Sequence, residues 1–155
     1  MNPREKTVLI VDDDEAMLNL LEILVHRDGF NVLRADSVDA AVFKLRRNPD
    51  VVLLDLIFPG TETGLDVLEL IRGSEGPKPF VIVITAHESE HPVVEAARKD
   101  PNVSYFLSKP IKQDQLLELM HRMLRTWPPE GAIRGHDEDA PEEAVAQTQS
   151  GRNPG

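Results

Sequence analysis

At 155 residues, with 41% apolar and only 5% aromatic side chains, the chain is long enough for one domain with a core mainly of Val, Leu, Ile and Ala. It contains no cysteine, which excludes disulfides, thiolate metal sites and a cysteine nucleophile. The formal net charge of −10, with acids outnumbering bases on both sides of Trp127, argues against direct nucleic-acid binding and favours a cation or a cationic partner patch.

Thr7-Val8-Leu9-Ile10-Val11 reads as a buried strand that runs straight into Asp12-Asp13-Asp14-Glu15. Met17, Leu20, Leu21, Leu24 and Val25 then recur at helical spacing, with Asp14 or Glu15 suited to the helix start and Gly29 to its end. Phe30 to Ala35 reads as a short strand, and Ser37 caps a helix carrying Val38, Ala41, Val42 and Leu45. Val51 to Leu54 is an unbroken apolar run, the pattern of a strand covered on both faces; Asp55 follows, and Pro59-Gly60 turns the chain. A helix with Leu65, Leu68 and Ile71 on one face comes next. Phe80 to Ile84 is the fourth strand, ending at Thr85-Ala86, and Val93, Val94, Ala96 and Ala97 mark a helix broken near Asp100-Pro101. Tyr105 to Ser108 is the fifth strand, ending at Lys109-Pro110. Leu116, Leu117, Met120, Leu124 and Trp127 form the stripe of a last helix that Pro128-Pro129 terminates, with Trp127 expected to cover the core at its end.

Five βα units in succession predict an α/β fold, a doubly wound parallel sheet with helices on both faces. In such a sheet the carboxyl ends of the strands share one edge, which gathers Asp12 and Asp13, Asp55, Thr85 and Lys109. Adjacent carboxylates repel unless a cation relieves them, and oxygen ligands that leave room for phosphate suit Mg²⁺. Lysine adds a fixed positive charge and threonine a hydroxyl donor, the groups that phosphoryl transfer needs for positioning and charge neutralisation. Asp55 is then the candidate nucleophile, forming an aspartyl phosphate.

These residues resemble the receiver domain of two-component response regulators. Val8-Leu9-Ile10-Val11-Asp12-Asp13-Asp14 is similar to that family's first strand and acidic pair. Leu53-Leu54-Asp55-Leu56 with Pro59-Gly60 is similar to its phosphoacceptor segment, and Ile84-Thr85-Ala86 and Phe106-Leu107-Ser108-Lys109-Pro110 to its hydroxyl and lysine motifs. The resemblance covers about residues 6–126 and implies a flavodoxin-like sheet of five strands in the order 2-1-3-4-5, flanked by five helices. It implies that Asp55 accepts phosphate from a histidine kinase or phosphotransfer protein, and that Asp13, Asp55 and the Ile57 carbonyl bind Mg²⁺ directly, with Asp12 acting largely through water. Thr85 and Lys109 would contact the phosphoryl oxygens. Thr85 and Phe106 would form the switch, with Phe106 turning inward as Thr85 moves. Lys109-Pro110 is expected to be cis.

The chain departs from the family pattern at several points. Gly64 follows Asp55 by nine positions where eight is usual, and Asp100-Pro101-Asn102-Val103 replaces a customary small-residue stretch. Ile57 and His87 lie at positions that tune dephosphorylation in the family. Because an apolar side chain cannot orient attacking water, Ile57→Ala is expected to lengthen the phosphoryl lifetime little, as read by the decay of labelled protein.

A stand-alone receiver is expected over residues 1–127, acting through an unidentified downstream protein and a homodimer contact at the fourth helix, fifth strand and fifth helix. It would be no enzyme beyond supporting its own phosphorylation and slow dephosphorylation. Residues 128–155, rich in Pro, Gly and acids, are expected to form a disordered tail. With no apolar run near the ~20 residues that span a bilayer, and no signal-peptide pattern in Met1 to Lys6, no membrane contact and a cytoplasmic location are expected.

Three competing readings carry less weight. His87-Glu88-Ser89-Glu90-His91 spells the zinc-protease pattern, but Pro92 disfavours helix at His91. A haloacid-dehalogenase-type phosphatase would use Asp12-x-Asp14, yet Ala16 stands where Thr or Val is needed. A pseudo-receiver that binds without phosphorylation conflicts with the complete acid set.

Overall fold

The computed structural model describes residues 2–86 and 91–129. After a single 3₁₀ turn at Pro3–Glu5, strands β1 (Thr7–Val11), β2 (Asn31–Ala35), β3 (Val51–Leu54), β4 (Phe80–Thr85) and β5 (Val103–Ser108) alternate with helices. The helices are α1 (Glu15–Arg27), α2 (Val38–Leu45), α3 (Gly64–Gly73), α4 (Pro92–Arg98) and α5 (Gln113–Leu124). All strand pairs are parallel, in the order β2-β1-β3-β4-β5, the α/β architecture expected from the sequence.

The apolar runs are continuous because both faces of the sheet are covered. Leu9, Val11, Val52, Leu54, Val81 and Val83 pack with residues of α2, α3 and α4 on one side. Their strand neighbours Val8, Ile10, Val51, Leu53, Ile82 and Ile84 pack with α1 and α5 on the other. Register aligns the carboxyl ends: Val11 lies beside Leu54, Leu54 beside Val83, and Thr85 beside Ser108.

Caps fix the helix ends. Asp14 accepts the amide of Ala16 at the start of α1, and Ser37 that of Ala40 at the start of α2. Thr63 and Asp66 close a reciprocal capping box on α3. Gly29, at φ 100°, ends α1, its amide reaching His26 and the next amide, Phe30, reaching Val25. This turn uses Phe30 as a buried plug, so β2 begins at Asn31 and not at Phe30 as the composition suggested.

Three expectations need correction or a boundary. Trp127 does not cover the core; it is 61% exposed. Arg125 adopts the left-handed conformation (φ 57°) and carries the chain off the helical path, so Thr126 turns inward in its place. The fifth strand starts two residues earlier than Tyr105, because the β4–β5 register slips between Val81 and Ile82 and leaves Ser104 as an extra residue in the ladder. The tail beyond Pro129 and the segment His87–Glu90 lie outside the described residues.

Candidate functional site

The four acids after β1 divide by local structure. Asp14 is consumed as the α1 cap, and Glu15 pairs with Arg34 of β2. Asp12 is held with its backbone amide on Ala35 and its Oδ1 accepting the Asp14 amide, so its side chain stays at the sheet edge. Asp13 remains exposed beside it. Asp55 is anchored in the same way, its amide donating to the Val11 carbonyl and its Oδ1 accepting the Leu56 amide at 2.8 Å.

One carboxylate oxygen from each of Asp12, Asp13 and Asp55 lies within 4.8 Å of the others. Lys109 reaches in from the end of β5, its Nζ 2.9 Å from Asp12 Oδ2 and 3.5 Å from Asp55 Oδ2. The Lys109 amide donates to the Thr85 carbonyl across the β4–β5 edge, which sets these two residues side by side, and the Lys109-Pro110 bond is cis. The aspartates, Thr85 and Lys109 thus meet on one edge, as the spacing of the strands predicted.

Burial dominates the electrostatics. Asp12 is 3% and Asp55 7% exposed. Burial pushes the Asp55 carboxyl up from its ordinary value, Lys109 opposes that, and the neighbouring charge of Asp12 adds to it. For Lys109 burial acts downward, but the hydrogen bond to Asp12 and the charges of Asp55 and Asp12 outweigh it, and its pKa is raised. The result is a cationic lysine between two carboxylates, one of which is costly to keep ionised. Three convergent carboxylate oxygens are hard ligands of the type a divalent ion of the Mg²⁺ class takes, so the donor chemistry fits such an ion.

Gly64 is the residue whose structural role the spacing only hinted at. Its amide donates to the Leu56 carbonyl at 2.7 Å, and a Cβ there would stand 2.8 Å from the Asp55 carbonyl oxygen and 2.9 Å from Leu56 Cα. The start of α3 is therefore seated directly on the Asp55 backbone. Ile57 and Thr63 bridge across the intervening loop, whose Pro59–Glu62 tip is exposed. The Ile57 side chain packs on the core cluster of the α3 side. Gly64→Ala is expected to destabilise the fold by roughly 1–3 kcal/mol through backbone displacement, measurable as a lower urea midpoint at unchanged m-value.

Asp100, read from the sequence only as part of a helix break, has partners that the sequence did not reveal. Its Oδ1 accepts the Asn102 amide and its Oδ2 takes Arg72 of α3 at 2.8 Å, which makes the Asp100–Val103 turn a fixed joint. The cue was an Asp before Pro-Asn at a helix end, a turn-forming series. Of the zinc-protease pattern only His91 falls among the described residues. It stands at the N-cap of α4, its Nδ1 accepting the Val93 amide at 3.2 Å, and α4 begins only at Pro92.

An open parallel sheet of this order, with an acid–lysine site on its carboxyl edge, defines a flavodoxin-like domain. The chain belongs to the response regulator receiver domain family, which it matches over residues 8–121. It is 33% identical over 126 residues to response regulator MprA of Mycobacterium tuberculosis, covering 81% of this chain and 53% of the relative. It is 32% identical to transcriptional regulatory protein KdpE of Staphylococcus aureus, covering 72% of this chain and 47% of that one. The chain thus spans about half the length of these relatives. Among solved structures, the signal receiver domain of a putative Luxo repressor protein from Vibrio parahaemolyticus superimposes with a TM-score of 0.65 at 30% identity, covering 81% of this chain and 92% of that one. Among the described residues, no helix is long and apolar enough to cross a membrane.

Proposed function

We propose that the chain is a phosphorylation-controlled switch in which Asp55 takes a phosphoryl group from the phosphohistidine of a histidine kinase or phosphotransfer protein. The observation that carries this reading is the convergence of Asp12, Asp13 and Asp55 within 4.8 Å, with Lys109 2.9 Å from Asp12 and 3.5 Å from Asp55. An Asp55 oxygen attacks phosphorus; a P–O bond forms as the P–N bond breaks, and the electron pair returns to the imidazole nitrogen. Lys109 offsets the charge on the phosphoryl oxygens and the Thr85 hydroxyl donates to one of them. Mg²⁺, held by Asp13, Asp55 and the Ile57 carbonyl with Asp12 behind, would neutralise the remaining charge of that group.

On this reading the chain acts on itself, through phosphorylation and slow dephosphorylation, and turns over no separate substrate. The output is a protein contact or homodimer at α4, β5 and α5, where Tyr105 is exposed. A cytoplasmic location accords with that chemistry. The haloacid-dehalogenase reading is disfavoured by the use of Asp14 as a helix cap. The test is labelling by acetyl phosphate: Mg²⁺-dependent, acid-stable and hydroxylamine-sensitive phosphate on the chain supports the reading, and no incorporation with Mg²⁺ present, or the same incorporation in EDTA, overturns it.

A further inference from the structure

We propose that Arg98 is a positioning residue for Phe106, its guanidinium packed on the ring so as to hold the aromatic side chain in its resting place against α4. The inference rests on the phosphoacceptor reading above and names a residue that governs how easily the resting state is left.

The Arg98 guanidinium carbon lies 4.5 Å from the centre of the Phe106 ring, within the range of a favourable cation–π contact. Phe106 sits on β5 opposite Val83, two residues before the Thr85–Ser108 pair. Its ring is only half-buried and borders the core cluster that contains Val94 and Ala97 of α4. A cation on the exposed side of the ring adds a contact that is lost when the ring moves, and so favours the resting position. Arg98 is placed to do so. It ends α4, next to the fully buried Ala97, and two residues later Asp100 is tied to Arg72. The backbone that carries Arg98 is therefore fixed, and its planar guanidinium has the shape that stacks on an aromatic face.

The experiment uses the purified full chain with saturating Mg²⁺, titrated with beryllofluoride and followed by amide NMR signals of Thr85 and Phe106. Arg98→Ala is expected to lower the half-saturating beryllofluoride concentration roughly two- to five-fold, the size of one such contact. Arg98→Lys, which keeps the charge but not the planar stack, should give a smaller shift. In a Phe106→Leu background Arg98→Ala should change nothing. An unchanged half-saturation in Arg98→Ala, or an equal shift in the Phe106→Leu background, overturns the proposal. A second readout needs no ligand: the Arg98 side-chain protons should carry an upfield ring-current shift that Phe106→Leu removes, and its absence also overturns the proposal. If that shift is present but wild type gives no beryllofluoride response, the phosphoacceptor reading has failed and the positioning role falls with it; a responsive wild type with an indifferent Arg98→Ala sinks the positioning role alone.

Discussion

Asp55→Asn is expected to abolish phosphoryl incorporation from acetyl phosphate, to below about one hundredth of wild type, while raising the melting temperature of the metal-free protein. The first effect follows from chemistry: an amide oxygen is a far weaker nucleophile than a carboxylate, and no other described acid has the same setting. Asp12 is already bound to Lys109 at 2.9 Å, and Asp13 is exposed. The second effect follows from burial. The folded-state pKa of Asp55 is raised above the ordinary value of 3.8, chiefly by desolvation. Between 3.8 and that higher value the folded protein holds more protons than the unfolded chain, so this group's contribution to stability falls as pH rises through the window. Above it the ionised carboxylate is a standing cost that a neutral amide removes. Thermal melts in EDTA at neutral pH check the sign: a lower melting temperature for Asp55→Asn would mean that the contact with Lys109 outweighs desolvation. Retained labelling would move the phosphoacceptor elsewhere.

His121→Ala is expected to be the most damaging single change to the fold. His121 Nε2 lies 2.8 Å from Asp28 Oδ2 and Nδ1 lies 2.7 Å from Thr126 Oγ1, with the Phe30 ring centred 4.8 Å from the imidazole. Asp28 is fully buried at the end of α1, so its carboxyl group meets the imidazole away from water. The cluster joins the last turns of α1 and α5, the two helices covering one face of the sheet. Removing the imidazole leaves a buried carboxylate without this partner and opens a void beside Phe30, at a cost of about 3–5 kcal/mol. Chemical denaturation should read that loss directly. His121→Gln, which retains an N–H near the same place, should lose much less. A His121→Ala protein within about 1 kcal/mol of wild type would show that the cluster is replaceable by water.

The fold was legible because buried parallel strands write themselves as unbroken apolar runs, and Val8–Val11, Val51–Leu54 and Val81–Ile84 are such runs. The site was legible because topology places the residues after those runs on one edge. Asp12, Asp13, Asp55, Thr85 and Lys109 could be gathered from the sequence, since each ends a strand or follows one. Less legible was whatever depends on where a polar side chain faces. His121 and Asp28 both fall on apolar helix stripes, His121 between Leu117 and Leu124 and Asp28 after Leu24 and Val25. A charged residue at that spacing signals a buried partner, but pairing the two across 93 positions requires knowing that α1 and α5 share a face. Trp127 was misplaced for the opposite reason. It continues the α5 periodicity, but a left-handed Arg125 breaks the phase, and arginine gives no local warning of that conformation.

The Arg72–Asp100 pair has a mechanical consequence for α4. It clamps the carboxyl end of that helix to α3, which is itself seated on Asp55 through Gly64. A rod clamped at one end swings about the clamp. Over seven residues, about 10 Å of length, any tilt is largest at His91–Val94 and smallest beside Arg98. Motion there would be amplified with distance from the pivot, so a small displacement at Arg98 would become a larger one at the amino end of the helix.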